Sequence, residues 1–195
     1  MQTIPSRSVS QRRRDETHPR WTKGAEKHKS VHVQSNMARL HVLCGFPGSG
    51  KSTFAKRLLA EIRAVRFAND DWMIELFGPN PPEAEFRIAV RKIETLQWRL
   101  AEDILRLGID VIWDYGVWSR QDRADLFHKC SAIGAEFLLY EVQCDFEEAV
   151  SRVLARAANN PSAELFINRE AMLVFKSKYE APAIDEGYET RVVKG

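Results

Sequence analysis

The chain has 195 residues, of which 44% are hydrophobic, and this size and composition suit one globular domain with a proper core. Its three cysteines, Cys44, Cys130 and Cys144, are scattered without a C-x-x-C pair, which argues against a disulfide framework or a zinc site. No apolar run approaches the roughly 20 residues that span a bilayer, and the first residues lack the apolar region of a secretory signal. We therefore expect a soluble, cytoplasmic protein without a membrane partner.

The basic charge is concentrated in residues 1–37, which hold eight Lys or Arg against three Asp or Glu, whereas the net charge of the chain is only +2. Few residues of this arm could join a core, so we expect it to be disordered and the folded domain to occupy residues 38–195. Its arginine cluster at residues 12–14 could contact nucleic acid, although a solvated tail is the simpler interpretation. Met37, just before the first predicted strand, leaves open that the arm is an upstream extension without function.

Deletion of residues 1–36 should leave thermal stability and ligand binding by the folded domain nearly unchanged, because the arm has no periodic apolar face that could pack on a domain. Thermal denaturation and ligand titration of the shortened and full-length proteins test this expectation. A large drop in the melting temperature of the shortened protein would mean that the arm packs against the domain.

The first predicted strand, residues 40–44, runs directly into a phosphate-binding loop. Residues 45–52 match the pattern G-x-x-x-x-G-K-[ST], and a segment with helical spacing follows. Glycines allow the backbone to curl so that successive N–H groups face an anion, and the helix adds its positive N-terminal end. Lys51 supplies a charge for the β- and γ-phosphates of ATP, and the Ser52 hydroxyl can ligate Mg²⁺. The predicted cofactor-binding residues are Gly45, Phe46, Pro47, Gly48, Ser49, Gly50, Lys51, Ser52 and Thr53.

Helices and strands alternate along the rest of the chain. We predict helices over residues 51–64, 72–77, 82–107, 120–133, 146–158 and 169–179, and strands over residues 65–68, 110–114, 137–142 and 191–193. The long third helix should bury Ile93 together with Leu96 or Leu100. Repeated βα units predict an α/β fold with a parallel sheet covered by helices on both faces. The functional site of such a sheet lies at the carboxyl ends of its strands.

Two acids, Asp70 and Asp71, follow the second predicted strand directly. A phosphoryl-transfer enzyme benefits from a carboxylate that orients the acceptor hydroxyl and accepts its proton. One of the two acids could serve as this base, and the other could cap the helix predicted from Trp72. Turn and cap roles for both acids are the alternative.

Asp114 ends the third predicted strand after Val-Ile-Trp. An apolar strand that closes on an acid is typical of the Walker B element, whose acid holds Mg²⁺ directly or through water. A solvated aspartate at a strand end is the alternative.

Arg152 and Arg156 lie four residues apart, on one face of the helix predicted after the fourth strand. In a closing lid, their guanidinium groups would stabilise charge on the transferring phosphoryl group. The solvated face of an amphipathic helix explains them equally well.

Four further residues beside the predicted loops have simple structural explanations. Arg120 and Arg123 could reach an anionic substrate, but charges on a helix surface fit them better. Trp72 and Trp118 could stack on a substrate ring, although core packing is commoner for tryptophan.

Residues 39–190 resemble the P-loop kinases of the polynucleotide 5′-kinase, zeta-toxin and chloramphenicol phosphotransferase type, a group of small AAA-like ATP-binding proteins. The residues that carry the resemblance follow one another in the order of that group: residues 45–52, Asp70, Asp71, Asp114, Ser119, Arg120, Arg123, Arg152, Arg156, and the segments 179–182 and 185–187. The resemblance implies a P-loop NTPase three-layer sandwich with a five-stranded parallel sheet in the order 2-3-1-4-5 and a helical lid. It also implies that Asp70 is the general base and that Arg156, less directly Arg152, is the lid arginine.

One departure from that group concerns the acceptor. The polynucleotide kinases have an arginine three residues after the base, where it binds the acceptor phosphate, and this chain has Met73 there. Nucleic acid therefore stays possible as a substrate but is less favoured than a small molecule.

Together these features predict an ATP- and Mg²⁺-dependent kinase that transfers the γ-phosphate to a hydroxyl of a small molecule, as a monomer or homodimer. The predicted catalytic residues are Lys51, Asp70, Arg152 and Arg156, and the predicted metal ligands are Ser52 and Asp114. Two alternatives remain open: a nucleotide-binding regulatory ATPase without an acceptor, and a nucleic-acid 5′-hydroxyl kinase that uses the basic arm. The sequence does not identify the acceptor or decide between ATP and GTP.

Overall fold

The computed structural model describes residues 37–160 and 164–195, so the predicted arm up to residue 36 lies outside the described residues. The described residues form five strands: β1 (Arg39–Cys44), β2 (Ala64–Ala68), β3 (Asp110–Asp114), β4 (Glu136–Gln143) and β5 (Glu189–Lys194). They also form six α-helices: α1 (Lys51–Glu61), α2 (Asn69–Phe77), α3 (Glu83–Arg106), α4 (Arg120–Ala132), α5 (Phe146–Asn159) and α6 (Arg169–Lys178). A short 3₁₀ helix, Ile184–Glu186, precedes β5.

All five strands are parallel and lie in the order β2-β3-β1-β4-β5, which confirms the order implied by the family resemblance. The central strand β1 is buried over nearly its whole length, as expected of a strand with neighbours on both edges and helices on both faces. Because all strands run the same way, their carboxyl ends share one edge of the sheet. The P-loop follows β1, Asp70 comes just after β2, and Asp114 ends β3. These three groups therefore meet at that edge.

Two apolar clusters lie on opposite faces of the sheet, because alternate residues of each strand point to opposite sides. One joins Leu43 and Ile112 to Leu58 of α1. The other joins Val42 and Val111 to side chains of α3 and α4, including Ala101, Leu105 and Leu126. Helices thus cover both faces of the sheet, which confirms the predicted three-layer α/β fold.

The second helix begins earlier than its sequence indicates. It starts at Asn69 and not at Trp72, so Asp70 and Asp71 lie in its first turn and neither is its cap. The cap position is Ala68, which contributes no side-chain hydrogen bond. Two carboxylates in the first turn are stabilised by the unpaired N–H groups and the positive end of the helix.

The long helix α3 buries a different stripe from the one expected. Ile93 is buried as predicted, but Leu96 and Leu100 are 49% and 46% exposed. The buried positions repeat every four residues and include several small or polar side chains: Ala89, Ile93, Gln97, Ala101 and Leu105. Small alanines let the helix approach the sheet closely, so the largest apolar residues do not mark its inner face.

Two predicted helix caps are present. The Ser119 hydroxyl accepts a hydrogen bond from the Asp122 N–H, and the Asp122 carboxylate accepts one from the Ser119 N–H, which forms a capping box at α4. The Asp145 side chain accepts hydrogen bonds from the N–H groups of Glu147 and Glu148 at α5. Within the described residues, no helix has both the length and the apolar character needed to cross a bilayer.

A buried ion pair ties α4 to the end of the chain. The Arg123 side chain is 0% exposed and its partner Glu186 is 3% exposed, with two nitrogen–oxygen contacts of 2.8 and 2.7 Å. Arg123 also donates to the carbonyls of Trp118 and Glu180, and the Tyr188 hydroxyl donates to Glu186. The expectation of a helix-surface charge is therefore wrong for Arg123, because its acidic partner lies 63 residues away in sequence.

Replacement of Arg123 by Met should lower the free energy of unfolding by about 3–5 kcal/mol, because it leaves the Glu186 carboxylate buried without its cation. Burial raises the pKa of Glu186, but the hydrogen bonds from Arg123 and Tyr188 outweigh it and lower the pKa to about 2. The stabilisation is therefore present above the unfolded-state pKa near 4.5 and is lost as the pH falls toward 2. Denaturant titrations of both proteins at several pH values test this, and equal stability at pH 7 would contradict it.

Candidate active site

The P-loop joins β1 to α1, and its backbone requires glycine at two tightly packed positions. Gly48 has a φ of 81°, and a Cβ there would lie 2.3 Å from the Ala149 carbonyl oxygen of α5. Gly45 has a φ of 150°, and a Cβ there would lie 2.6 Å from the Val142 carbonyl oxygen of β4. A third glycine, Gly50, adopts the left-handed conformation at the cap of α1. The loop is thus packed closely between β4 and α5, as its glycine spacing indicates.

Lys51 lies in the first turn of α1 and folds back over the loop. Its Nζ donates hydrogen bonds to the carbonyl oxygens of Gly45 at 2.9 Å and of Phe46 at 2.6 Å. Burial lowers the pKa of Lys51, and the negative charges of Asp114 and Asp70 oppose that change. Both acids are therefore within electrostatic range of the lysine, although neither forms an ion pair with it in the described part of the chain.

Ser52 and Asp114, the two predicted metal ligands, face each other. The Ser52 hydroxyl lies 3.4 Å from Oδ1 of Asp114, whose side chain is only 2% exposed. A hydroxyl and a carboxylate are hard oxygen ligands that suit Mg²⁺, which usually takes its remaining ligands from phosphates and water. Among the described residues, no group of three or more His, Cys, Asp or Glu side chains could hold a metal alone. These two residues therefore fit a metal that arrives together with a nucleotide.

An arginine that the sequence analysis did not single out holds Asp114 from the other side. Arg66 of β2 donates to Oδ2 of Asp114 from Nε at 2.9 Å and from Nη2 at 2.5 Å. Its Nη1 donates to Oδ2 of Asp71 at 2.9 Å. The sequence does offer one signal for Arg66, because it is a charged residue in the middle of a strand that leads to the site.

Asp70 and Asp71 have different surroundings although they are adjacent. The residue Asp70 is exposed, but the protein groups around its carboxyl group remove part of its hydration and so raise its pKa, and the nearby charge of Lys51 opposes that rise. Asp71 turns toward Arg66, and its side chain is 62% exposed. Asp70 is thus the one of these two acids whose charge acts on the P-loop lysine.

Arg152 and Arg156 of α5 lie on the P-loop side of the molecule. Arg152 donates to the Gly48 carbonyl at 3.4 Å and to Glu148 at 2.6 Å. Arg156 lies 3.6 Å from Glu164, and its positive charge contributes to lowering the pKa of Lys51. Both guanidinium groups are therefore near the phosphate-binding loop, while residues 161–163 of the predicted lid region lie outside the described residues.

The two tryptophans beside the loops serve packing. The Trp118 indole N–H donates to the Gly45 carbonyl at 3.1 Å, and its ring packs on Phe175 with centroids 4.6 Å apart. Trp72 packs against Phe67 at 6.1 Å. Trp118 therefore helps to fix the first residue of the P-loop through this hydrogen bond.

Two cavities flank the P-loop. One, of about 520 Å³, is lined by Phe46, Glu141 and Tyr179 among others. The other, of about 300 Å³, is lined by side chains that include Thr53, Arg57 and Arg152. The second cavity adjoins the first turn of α1 and offers cationic side chains beside the phosphate-binding loop.

Comparison with known proteins agrees with this architecture. A family model described as an AAA domain matches residues 40–182. No curated protein matches the chain. A protein of Chloroflexus aurantiacus J-10-fl that is provisionally described as a kinase superposes with a TM-score of 0.67 and 16% identity, over 81% of this chain and 88% of that chain.

Two other solved structures have the same fold but different named roles. A gluconokinase from Sinorhizobium meliloti 1021 matches with a TM-score of 0.53 and 15% identity, over 81% of this chain and 83% of that chain. A chain of the Pnkp1/Rnl/Hen1 RNA repair complex matches with a TM-score of 0.59 and 23% identity, over 76% of this chain and 48% of that chain. At these identities the likeness concerns the fold alone.

Proposed function

Because the chain belongs to the AAA domain family, we propose that it is an ATP-dependent kinase that transfers the γ-phosphate to a hydroxyl of a small molecule. The observation that carries this proposal is that Lys51 follows the P-loop after β1 and Asp70 follows β2, at the carboxyl edge of one parallel sheet. A lysine that meets phosphates and an acid that meets a hydroxyl are the two groups that phosphoryl transfer to an alcohol needs. We expect these two groups to act together, whereas a site that only binds a nucleotide does not need the acid.

In this proposal the P-loop residues 45–53 bind the triphosphate, and Lys51 leaves the loop carbonyls to contact the β- and γ-oxygens. Asp70 orients the acceptor hydroxyl and accepts its proton. Arg156, with Arg152, stabilises the charge on the transferring group from α5. Catalysis then rests on positioning and electrostatic stabilisation.

Ser52 and Asp114 would hold Mg²⁺ beside the β- and γ-phosphates, since their oxygens face each other. When bound, the metal would neutralise charge that develops on the phosphate oxygens. The 2% exposure of the Asp114 side chain keeps competing water away from one side of this acid.

A small-molecule acceptor is favoured over a nucleic-acid end by the surroundings of Met73. Met73 is fully buried against Ala89 and Ile93 of α3, so this position contributes to the core and offers no group to an acceptor phosphate. Arg66, the cation on the neighbouring strand, is occupied by Asp114 and Asp71. The likeness to an RNA repair complex keeps a nucleic-acid 5′-hydroxyl as the second candidate acceptor.

A transfer assay tests the proposal and separates it from its rivals. ATP labelled at the γ-phosphate is incubated with hydroxyl-bearing metabolites, antibiotics, sugars and a 5′-hydroxyl RNA, using wild type and Lys51→Ala. We expect a labelled organic phosphate ester that requires Lys51. Label released only as inorganic phosphate would favour a regulatory ATPase, and label on RNA alone would favour the nucleic-acid kinase.

A further inference from the structure

We infer that Arg66 is a positioning residue of the nucleotide site, which holds the Asp114 carboxylate away from Lys51 and so keeps the lysine available for phosphates. This inference rests on the proposed nucleotide site and assigns a role to a residue outside the motifs. Its basis is that Arg66 donates two hydrogen bonds to Asp114, while Lys51 donates to a carbonyl of the P-loop.

The sheet register explains why Arg66 reaches Asp114. Arg66 pairs with Ile112 on the neighbouring strand β3, and Asp114 lies two residues further along that strand. Paired residues of adjacent strands, and residues two apart on one strand, point to the same face of the sheet. The arginine side chain therefore runs along this face and meets Oδ2 of the acid through both Nε and Nη2.

Asp114 needs a cation because it is buried. Its side chain is 2% exposed, and a buried carboxylate without a partner is strongly destabilising. Lys51 is a second cation on which Asp114 acts electrostatically. Lys51 nevertheless donates to two loop carbonyls, because Arg66 already binds Oδ2 and leaves Oδ1 facing Ser52.

Loss of Arg66 would release Asp114 toward Lys51. An ion pair between them would withdraw the ammonium group from the position where it meets the β- and γ-phosphates. The planar guanidinium holds Asp114 by two nitrogens and Asp71 by a third, a geometry that the single ammonium of lysine cannot reproduce. Arg66→Lys should therefore restore only part of the function.

The test measures ATP affinity in the absence of Mg²⁺, where only the protein's own residues bind the phosphates. We expect Arg66→Met to weaken this affinity by about tenfold, within the range typical for residues that orient a binding group. Arg191→Met is the matched control, since Arg191 is a strand arginine paired with Glu189 on its own strand, and it should bind ATP like wild type. Titrations are made below the melting temperature of every variant, so that stability does not enter the result.

Two double variants separate positioning from a simple loss of charge. Arg66→Met with Asp114→Asn removes the released acid and should bind ATP as well as Asp114→Asn alone. Arg66→Met with Asp71→Asn restores the same net charge but leaves Asp114 ionised, and it should stay weak. Equal rescue by both, or unchanged affinity in Arg66→Met, would overturn the inference. Equal affinity of wild type and Lys51→Ala would instead overturn the nucleotide site on which it rests.

Discussion

Replacement of Lys51 by Ala should lower ATP affinity by about 10- to 100-fold, because it removes a charged hydrogen-bond donor to the β- and γ-phosphates. Turnover should fall further, since charge on the phosphate oxygens grows in the transition state. The fold should tolerate the change, because the lysine contributes only two hydrogen bonds to loop carbonyls. Isothermal titration with Mg-ATP measures the affinity, and thermal denaturation shows whether the variant keeps its fold.

The matched control for this variant is Lys56→Ala, an exposed lysine on the same helix α1. It removes the same charge about one helical turn from the P-loop and should leave ATP affinity within about twofold of wild type, as exposed charges usually do. Unchanged affinity and turnover in Lys51→Ala would contradict the assignment of residues 45–52 as a phosphate-binding loop. A similar loss in both variants would point to a general effect of net charge.

Replacement of Asp70 by Asn should abolish most phosphoryl transfer while leaving ATP affinity nearly unchanged. Asparagine keeps the size of the side chain but cannot accept the proton of the acceptor hydroxyl, a contribution of about 10²- to 10⁴-fold. Asp71→Asn should do much less damage, because its carboxylate turns away toward Arg66 and is 62% exposed. Initial rates of ester formation with each variant measure the difference.

The pH dependence offers an independent check on Asp70. Because the loss of hydration raises the pKa of this carboxyl group, the fraction of deprotonated base should increase with pH over a range above the ordinary value of about 4. Transfer by wild type should rise with pH over that range, whereas the residual activity of Asp70→Asn should not. If Asp71→Asn were the inactive variant and Asp70→Asn stayed active, the base would be assigned to the wrong residue.

The parts of the fold that follow local rules were predictable. The P-loop pattern requires a strand before it and a helix after it, and β1 and α1 are there. Ser119 and Asp145 are short polar residues that precede segments with helical spacing, and each caps the helix that follows it. The order of the strands came from the family resemblance, because alternating strands and helices are compatible with several sheet orders.

Two of the misses, Arg123 and Arg66, arose where a distant contact decides the outcome, whereas the error at the start of α2 is local. The segment Asn69-Asp70-Asp71 reads as a turn, but the first turn of α2 accepts acids. Arg123 reads as a surface charge until its partner Glu186 is known. The same holds for Arg66, whose partner Asp114 lies 48 residues further along the chain. The roles of Lys51, Asp70, Asp114, Arg152 and Arg156 in catalysis stay predictions.

The most direct test of the kinase assignment is the ratio of organic phosphate ester to inorganic phosphate formed from γ-labelled ATP by wild type and by Asp70→Asn. The account predicts mainly ester from wild type in the presence of an acceptor hydroxyl, and about 10²- to 10⁴-fold less ester from the variant at similar ATP affinity. Release of inorganic phosphate as the main product, at the same rate in both proteins, would contradict it.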